Sequence, residues 1–134
     1  MTVIDTSGVV DLLIDGPAST SVAGLLARER ELAAPDILVF EALSAIRRGV
    51  RRGTVSESRA SAAVEDLAAL PVRLFGSMPL RSRVWQLREN FTPADGLFVA
   101  LAERLGEPLA TKDAALLQAI VRLPAIDVSA VALP

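Results

Sequence analysis

Cysteine, histidine and tyrosine are all missing from the 134 residues. Without cysteine there is no disulfide, no thiolate nucleophile and no Cys-type zinc or iron–sulfur site. Without histidine there is no Ser-His-Asp triad, no imidazole acid–base chemistry and no His-ligated metal. Chemistry on this chain runs on Asp, Glu, Lys, Arg, Ser and Thr, and on whatever ion they hold. Aromatic residues make up only 4%, which argues against recognition by stacking on bases. There is one lysine, Lys112, and the net charge is −2, so no whole-molecule basic field draws in nucleic acid. Long hydrophobic runs are absent too. A run such as Ile37 to Phe40 breaks at an acid, far short of the ~18 residues of a membrane span. The start, Met1-Thr2-Val3-Ile4-Asp5, has no basic leader. A cytoplasmic protein with no membrane partner is the expectation.

What is present is apolar. Hydrophobic residues are 51% and charged residues 22%, which excludes a disordered chain. The surplus predicts some apolar surface covered by a partner or a second copy. Short apolar runs alternate with helical patterns. Thr2-Val3-Ile4, Leu32-Ala33-Ala34, Val72 to Phe75, Leu109-Ala110-Thr111 and Ile126-Asp127-Val128 read as strands. Helices are predicted from Thr6 to Leu13, Ser19 to Arg30, Pro35 to Gly53, Ser56 to Leu70, Pro79 to Glu89, Thr92 to Gly106, and from Ala114. In the third helix Val39, Ala42, Leu43, Ile46 and Val50 form the expected buried face. The alternation predicts one α/β domain over residues 1–134, with a central parallel sheet and helices on both faces.

Parallel sheets bind ligands beyond the carboxyl ends of their strands. Asp5 ends the first strand and Asp113 follows Leu109-Ala110-Thr111, so both arrive at that edge. Asp95 lies in the first turn of the preceding helix, and Glu41 sits mid-helix between Phe40 and Ala42. Each of the three aspartates also has a capping explanation: Asp5 with Ser7, Asp95 with Thr92, and Asp113 ahead of Ala114. Glu41 has no capping role. Asp11, Asp15, Asp36, Asp66 and Asp127 read as surface, turn or cap residues, and Lys112 as part of a solvent-facing turn. If the four acids share a pocket, each pair at ~5 Å repels by roughly 3 kcal/mol at an effective dielectric near 20. Oxygen-only ligation then selects a hard ion, Mg²⁺ or Mn²⁺, which activates water for attack at phosphorus.

Ile4-Asp5-Thr6-Ser7, Glu41 with Ala45-Ile46-Arg47-Arg48-Gly49, Thr92-Pro93-Ala94-Asp95-Gly96-Leu97 and Pro108-Leu109-Ala110-Thr111-Lys112-Asp113 together resemble PIN-domain ribonucleases, in particular the VapC-type toxins of bacterial toxin–antitoxin pairs. The resemblance spans essentially the whole chain. It implies a metal-dependent endoribonuclease that cuts RNA, with Asp5, Glu41, Asp95 and Asp113 as its acidic quartet. It also implies a cognate antitoxin protein as inhibitor, and a homodimer. The chain departs from the family pattern at Ala94, where tyrosine is frequent, and at Gly96, where alanine is usual. Neither change removes a ligand.

Around the quartet, the hydroxyls of Ser7 and Thr111 are placed to orient carboxylates, or simply to cap. Arg47, Arg48, Arg51 and Arg52 suit a helix C-terminus. Arg47 and Arg48, with Arg88 and Asn90 ahead of the third acid, are also candidates to contact RNA or antitoxin. Trp85 reads as core or interface. The apolar helices around Glu41 read as core, or as a groove for an amphipathic antitoxin helix. Two other classes fit a small acidic α/β domain: a Mg²⁺-binding phosphoacceptor signalling module, and a catalytically silent protein-binding domain. The first wants a second acid beside Asp5, which this chain lacks, as would a haloacid-dehalogenase-type phosphatase.

Overall fold

The computed structural model describes residues 1–134. β1 (Val3–Ile4) is followed by α1 (Thr6–Ile14) and α2 (Ser19–Glu29), then β2 (Leu32–Pro35) by α3 (Ile37–Arg51) and α4 (Glu57–Ala69). β3 (Val72–Phe75) leads through a 3-10 turn, Met78–Leu80, into α5 (Arg81–Gln86) and α6 (Pro93–Leu105). β4 (Leu109–Thr111), α7 (Ala114–Arg122) and β5 (Ala130–Ala132) complete the chain. The expected parallel sheet is present, in the order β3-β2-β1-β4-β5 with every neighbour parallel. Right-handed crossovers put α1 to α4 on one face and α5 to α7 on the other. α1 accordingly packs on α2, α3 and α4, while α6 lies along β1, β2 and β4.

The central strands are buried on both faces, and their composition fits: Val3, Ile4, Leu32, Ala33, Ala34, Leu109 and Ala110 have no exposed surface. The chain runs outward from β1 to β3, then crosses to the other side at β4. The reversal lies between β1 and β4, and that topological switch point opens a crevice beyond their carboxyl ends. Asp5 and Asp113 leave the sheet there. Most helix ends match their local signals. Ser56 caps α4 by accepting from the Arg59 amide, and Gly106 ends α6 at φ 65°, a left-handed conformation that glycine adopts without strain.

Several local expectations are corrected. Pro35 closes β2 instead of opening a helix, because its strand pairs with Phe75 of β3. The helix from Pro79 to Glu89 is split into the 3-10 turn and α5, which ends at Gln86. The last strand is Ala130–Ala132, not Ile126 to Val128: Leu109 pairs with Ala130 and Thr111 with Ala132. In α3 the buried stripe is Leu38, Ala42 and Ile46, whereas Val39 and Leu43 are 38% and 42% exposed. These two open onto an apolar groove of about 330 Å³ walled also by Val64, Leu67, Leu70 and Leu74.

Asp11 is not a surface residue. It is only 7% exposed, and its Oδ2 accepts from the Ala18 amide at 2.9 Å and from Lys112 Nζ at 2.5 Å. Lys112 therefore does not face solvent freely; it ties the turn after β4 to α1. Asp36 precedes α3 without capping it, and its carboxylate accepts instead from the Ser77 hydroxyl. Asp11→Ala is expected to cost about 1–3 kcal/mol by leaving a buried amide unpaired. Asp11→Asn should cost less, because an amide oxygen still accepts from Ala18. Urea unfolding distinguishes the two; equal losses would mean that the charge alone matters.

Candidate active site

Each acid of the predicted quartet is held by its own local structure. Asp5 is the best fixed. Its Oδ1 accepts from the Ser7 amide at 2.6 Å and the Ser7 hydroxyl at 2.5 Å, and its Oδ2 accepts from the Thr111 hydroxyl at 2.5 Å. The Thr111 bond crosses from β4 to β1. Thr111 Oγ1 in turn accepts from the Asp113 amide at 3.0 Å, so one buried hydroxyl bridges two of the acids. Asp113 caps α7 with Oδ1, which accepts from the amides of Ala115 and Leu116 at 2.9 and 3.1 Å. Its Oδ2 has no protein donor. Capping and site formation are thus one arrangement here. The cap fixes the carboxylate and leaves one oxygen facing outward.

Glu41 sits on α3, and its Oε1 accepts from the Thr6 hydroxyl at 2.7 Å. Thr6, Ser7, Glu41 and Arg48 line one concave pocket beside α1. Thr6 was not singled out from the sequence; its place between Asp5 and Ser7 was the available signal. Asp95 stands in the first turn of α6, where Thr92 Oγ1 accepts from the Asp95 amide at 3.2 Å. Next to it Gly96 meets α5 closely: a Cβ there would lie 3.1 Å from Val84 Cγ1. An alanine there would need Val84 to give by a few tenths of an ångström.

The other three carboxylates act on Asp95. Burial pushes the Asp95 carboxyl above the usual Asp range, and the charges of Asp113, Asp5 and Glu41 add to it, against a smaller opposing effect of the Thr92 hydroxyl. None of the four takes part in any ion pair in the molecule. As placed, no three of them close tightly enough around one point to ligate an ion. Their chemistry nevertheless fits a hard cation. All donors are carboxylate oxygens, Asp5 retains one acceptor position after three bonds, and Asp113 keeps a whole oxygen.

The arginines are dispersed. Arg48 reaches the rim of the Glu41 pocket, while Arg47 lines a separate shallow depression between α3 and α4. Arg88 lies over the Trp85 ring, 4.6 Å from its centroid. Trp85 is not core: it is 68% exposed.

Residues 2–121 match the PIN domain family model. The chain is 41% identical over 118 residues to Ribonuclease VapC12 of Mycobacterium tuberculosis, covering 88% of this chain and 91% of that protein. It is 40% identical over 115 residues to Ribonuclease VapC1 of the same organism, covering 85% and 86%. Its fold is similar to that of PAE2754 from Pyrobaculum aerophilum, with a TM-score of 0.69 at 22% identity over 88% of this chain and 78% of that one. It is equally similar, at 0.69 and 13% identity over 99% and 98%, to a chain in the structure of VapBC2 from Rickettsia felis bound to a DNA fragment from their promoter. A PIN-domain model over nine-tenths of the sequence and two ribonucleases at 40% identity or above agree with the parallel α/β sheet: the chain belongs to the PIN-domain family, among the VapC ribonucleases.

Proposed function

We propose that Asp5, Glu41, Asp95 and Asp113 together hold Mg²⁺ or Mn²⁺ for hydrolysis of RNA phosphodiester bonds, as the toxin of a toxin–antitoxin pair. The carrying observation is that Asp95 is held above the usual Asp range by burial and three neighbouring carboxylates, with no protein cation paired to any of the four. The single lysine, the obvious neutralising group, is committed to Asp11 instead. A hard divalent ion bound there would polarise the phosphate and lower the pKa of an attacking water. Asp5 is pre-oriented by Ser7 and Thr111, and Glu41 by Thr6, so those carboxylates need little reorganisation on binding. Asp95, the acid the others disfavour, gains most from a cation. Arg48, which lines the same pocket as Glu41, would meet a phosphate by paired N–H donation. A phosphoacceptor module would want a second acid beside Asp5, where this chain has Thr6.

The apolar groove between α3, α4 and β3 supports an antitoxin as partner. An amphipathic helix laid in it would cover the exposed Val39 and Leu43. Replacing Leu43 with Arg should abolish co-purification with a co-expressed antitoxin and leave the isolated protein folded by circular dichroism. Retained co-purification would place the antitoxin elsewhere.

Asp5→Asn, Asp95→Asn and Asp113→Asn are each expected to lower cleavage of RNA by at least a hundredfold, and Glu41→Gln by a similar order; EDTA should abolish it and Mn²⁺ restore it. Full metal-dependent cleavage by Asp95→Asn would overturn the assignment.

The raised Asp95 carboxyl has a stability consequence. The folded state favours its protonated form, so stability falls as pH rises from the ordinary Asp value, ~3.9, through the raised one, and the loss is complete above that. In EDTA at pH 7, Asp95→Asn should therefore melt higher than the parent, with the difference vanishing below about pH 4. Added Mn²⁺ should raise the parent's melting temperature and leave that of Asp95→Asn nearly unmoved. Thermal scans across pH, with and without the ion, test this.

A further inference from the structure

α5 is clamped to α6 by its inner side. Arg83 makes a two-pronged bond to Glu103, at 2.7 and 2.8 Å, and a third to the Ala125 carbonyl at 3.1 Å, while Val84 packs against Gly96. Its outer side is therefore fixed in place. Arg81 and Trp85, four apart, share that side, and Arg88 joins them from the turn that follows α5. With Met78, Val84 and Pro93 they line a cleft of about 370 Å³ that has no acidic side chain in its wall. The Arg88 guanidinium covers part of the indole and also donates to the Trp85 carbonyl at 2.9 Å. Arg81 donates to the Met78 carbonyl at 2.9 Å. Both guanidinium groups keep further N–H donors. The sole carboxylate near Arg88 is that of Glu89 at 3.5 Å, an exposed pair worth little against solvent.

We propose that this Trp85–Arg88 shelf is a nucleotide subsite, where a base of single-stranded RNA stacks on the indole and the neighbouring phosphates meet Arg81 and Arg88. The proposal rests on the ribonuclease reading above and gives it a strand path. Pro93, in the cleft wall, and Asp95 lie on opposite sides of the first turn of α6. A helix is about 10–12 Å across. A strand drawn over the N-terminal end of α6 thus meets the shelf with a nucleotide flanking the scissile one. The low aromatic content argued against stacking as a general mode; it leaves room for one platform, and the only tryptophan is the residue exposed there. Two arginines and an acid-free wall suit phosphates, whereas a second copy of this face would bring arginine against arginine.

Because Trp85 is the only tryptophan, its fluorescence reports the shelf directly. A labelled 2′-O-methyl RNA strand of mixed sequence, titrated into the full chain, is expected to quench it in parallel with the rise in label anisotropy. An abasic strand of equal charge should bind more weakly and not quench. Trp85→Ala should raise the strand's Kd about 5- to 150-fold, and Trp85→Phe should restore most of the affinity. Arg88→Ala should weaken binding and flatten its salt dependence. Trp85 is exposed, so these variants should unfold as the parent does. Binding with no quenching, or with Trp85→Ala unchanged in affinity, overturns the shelf and leaves the acid site standing. Sedimentation showing that Trp85→Ala converts a dimer to monomers at unchanged RNA affinity also overturns it, and assigns the face to a second copy. A strand that quenches Trp85 while the quartet variants still cut would keep the shelf and remove the metal reading.

Discussion

The hydrogen bond from Thr111 to Asp5 holds the seam on which everything else depends. It joins β4 to β1 at the point where the order of the sheet reverses, 106 residues apart in the chain. A parallel sheet always leaves a crevice at such a reversal, but a crevice alone has no chemistry. Here the last residue of β4 carries a hydroxyl with no exposed surface, donating to the first acid and accepting from the amide of the fourth. Threonine suits the place twice over. Its branched Cβ fits a buried strand, and its oxygen can donate and accept at once. Valine would fill the same space and leave Asp5 and the Asp113 amide each one partner short.

The remainder of the site works against the fold. Charges of like sign are brought together at the edge of an apolar core, and the Asp95 carboxyl registers this as a shift upward. Structural acids elsewhere are treated differently. Asp11, more buried than any other acid in the chain, has the only lysine and a backbone amide as partners, and Glu103 has Arg83. The contrast lies in the cation: Asp11 and Glu103 each have one, and none of the four site acids does. Sites tuned for binding commonly lower the stability of the empty protein in this way.

Much of this was readable from short patterns. Thr92-Pro93-Ala94-Asp95 names a cap, an opening proline and a first-turn acid within four residues, and the helix begins there. Asp5-Thr6-Ser7 and Thr111-Lys112-Asp113 are equally local, so both capping arrangements and both strand ends were predictable. What escaped was long-range. The burial of Asp11 depends on a lysine 101 residues away. The last strand is decided by which residues reach the edge of β4, and Ala130-Val131-Ala132 is no more strand-like in isolation than Ile126-Asp127-Val128. Val39 and Leu43 follow the helical period faithfully. They are nonetheless half open, because periodicity marks an apolar stripe and not whether the fold has anything to set against its margin.

Gly96 shows how such a margin becomes function. As a helical residue it is a poor choice, about 1 kcal/mol worse than alanine in a helix interior. Its bare Cα lets Val84 approach α6, and the Arg83–Glu103 fork then locks α5 in that position. One consequence is the rigid orientation of Trp85 and its arginines. Asp95, the neighbouring residue, lies on the side of the first turn of α6 away from the cleft, and burial there is the leading reason its carboxyl resists ionisation. One turn of α6 thus serves the wall of the cleft on one side and the acid site on the other. Alanine at Gly96 would press on Val84 and so shift the wall of the cleft, although the substitution touches neither Trp85 nor its arginines.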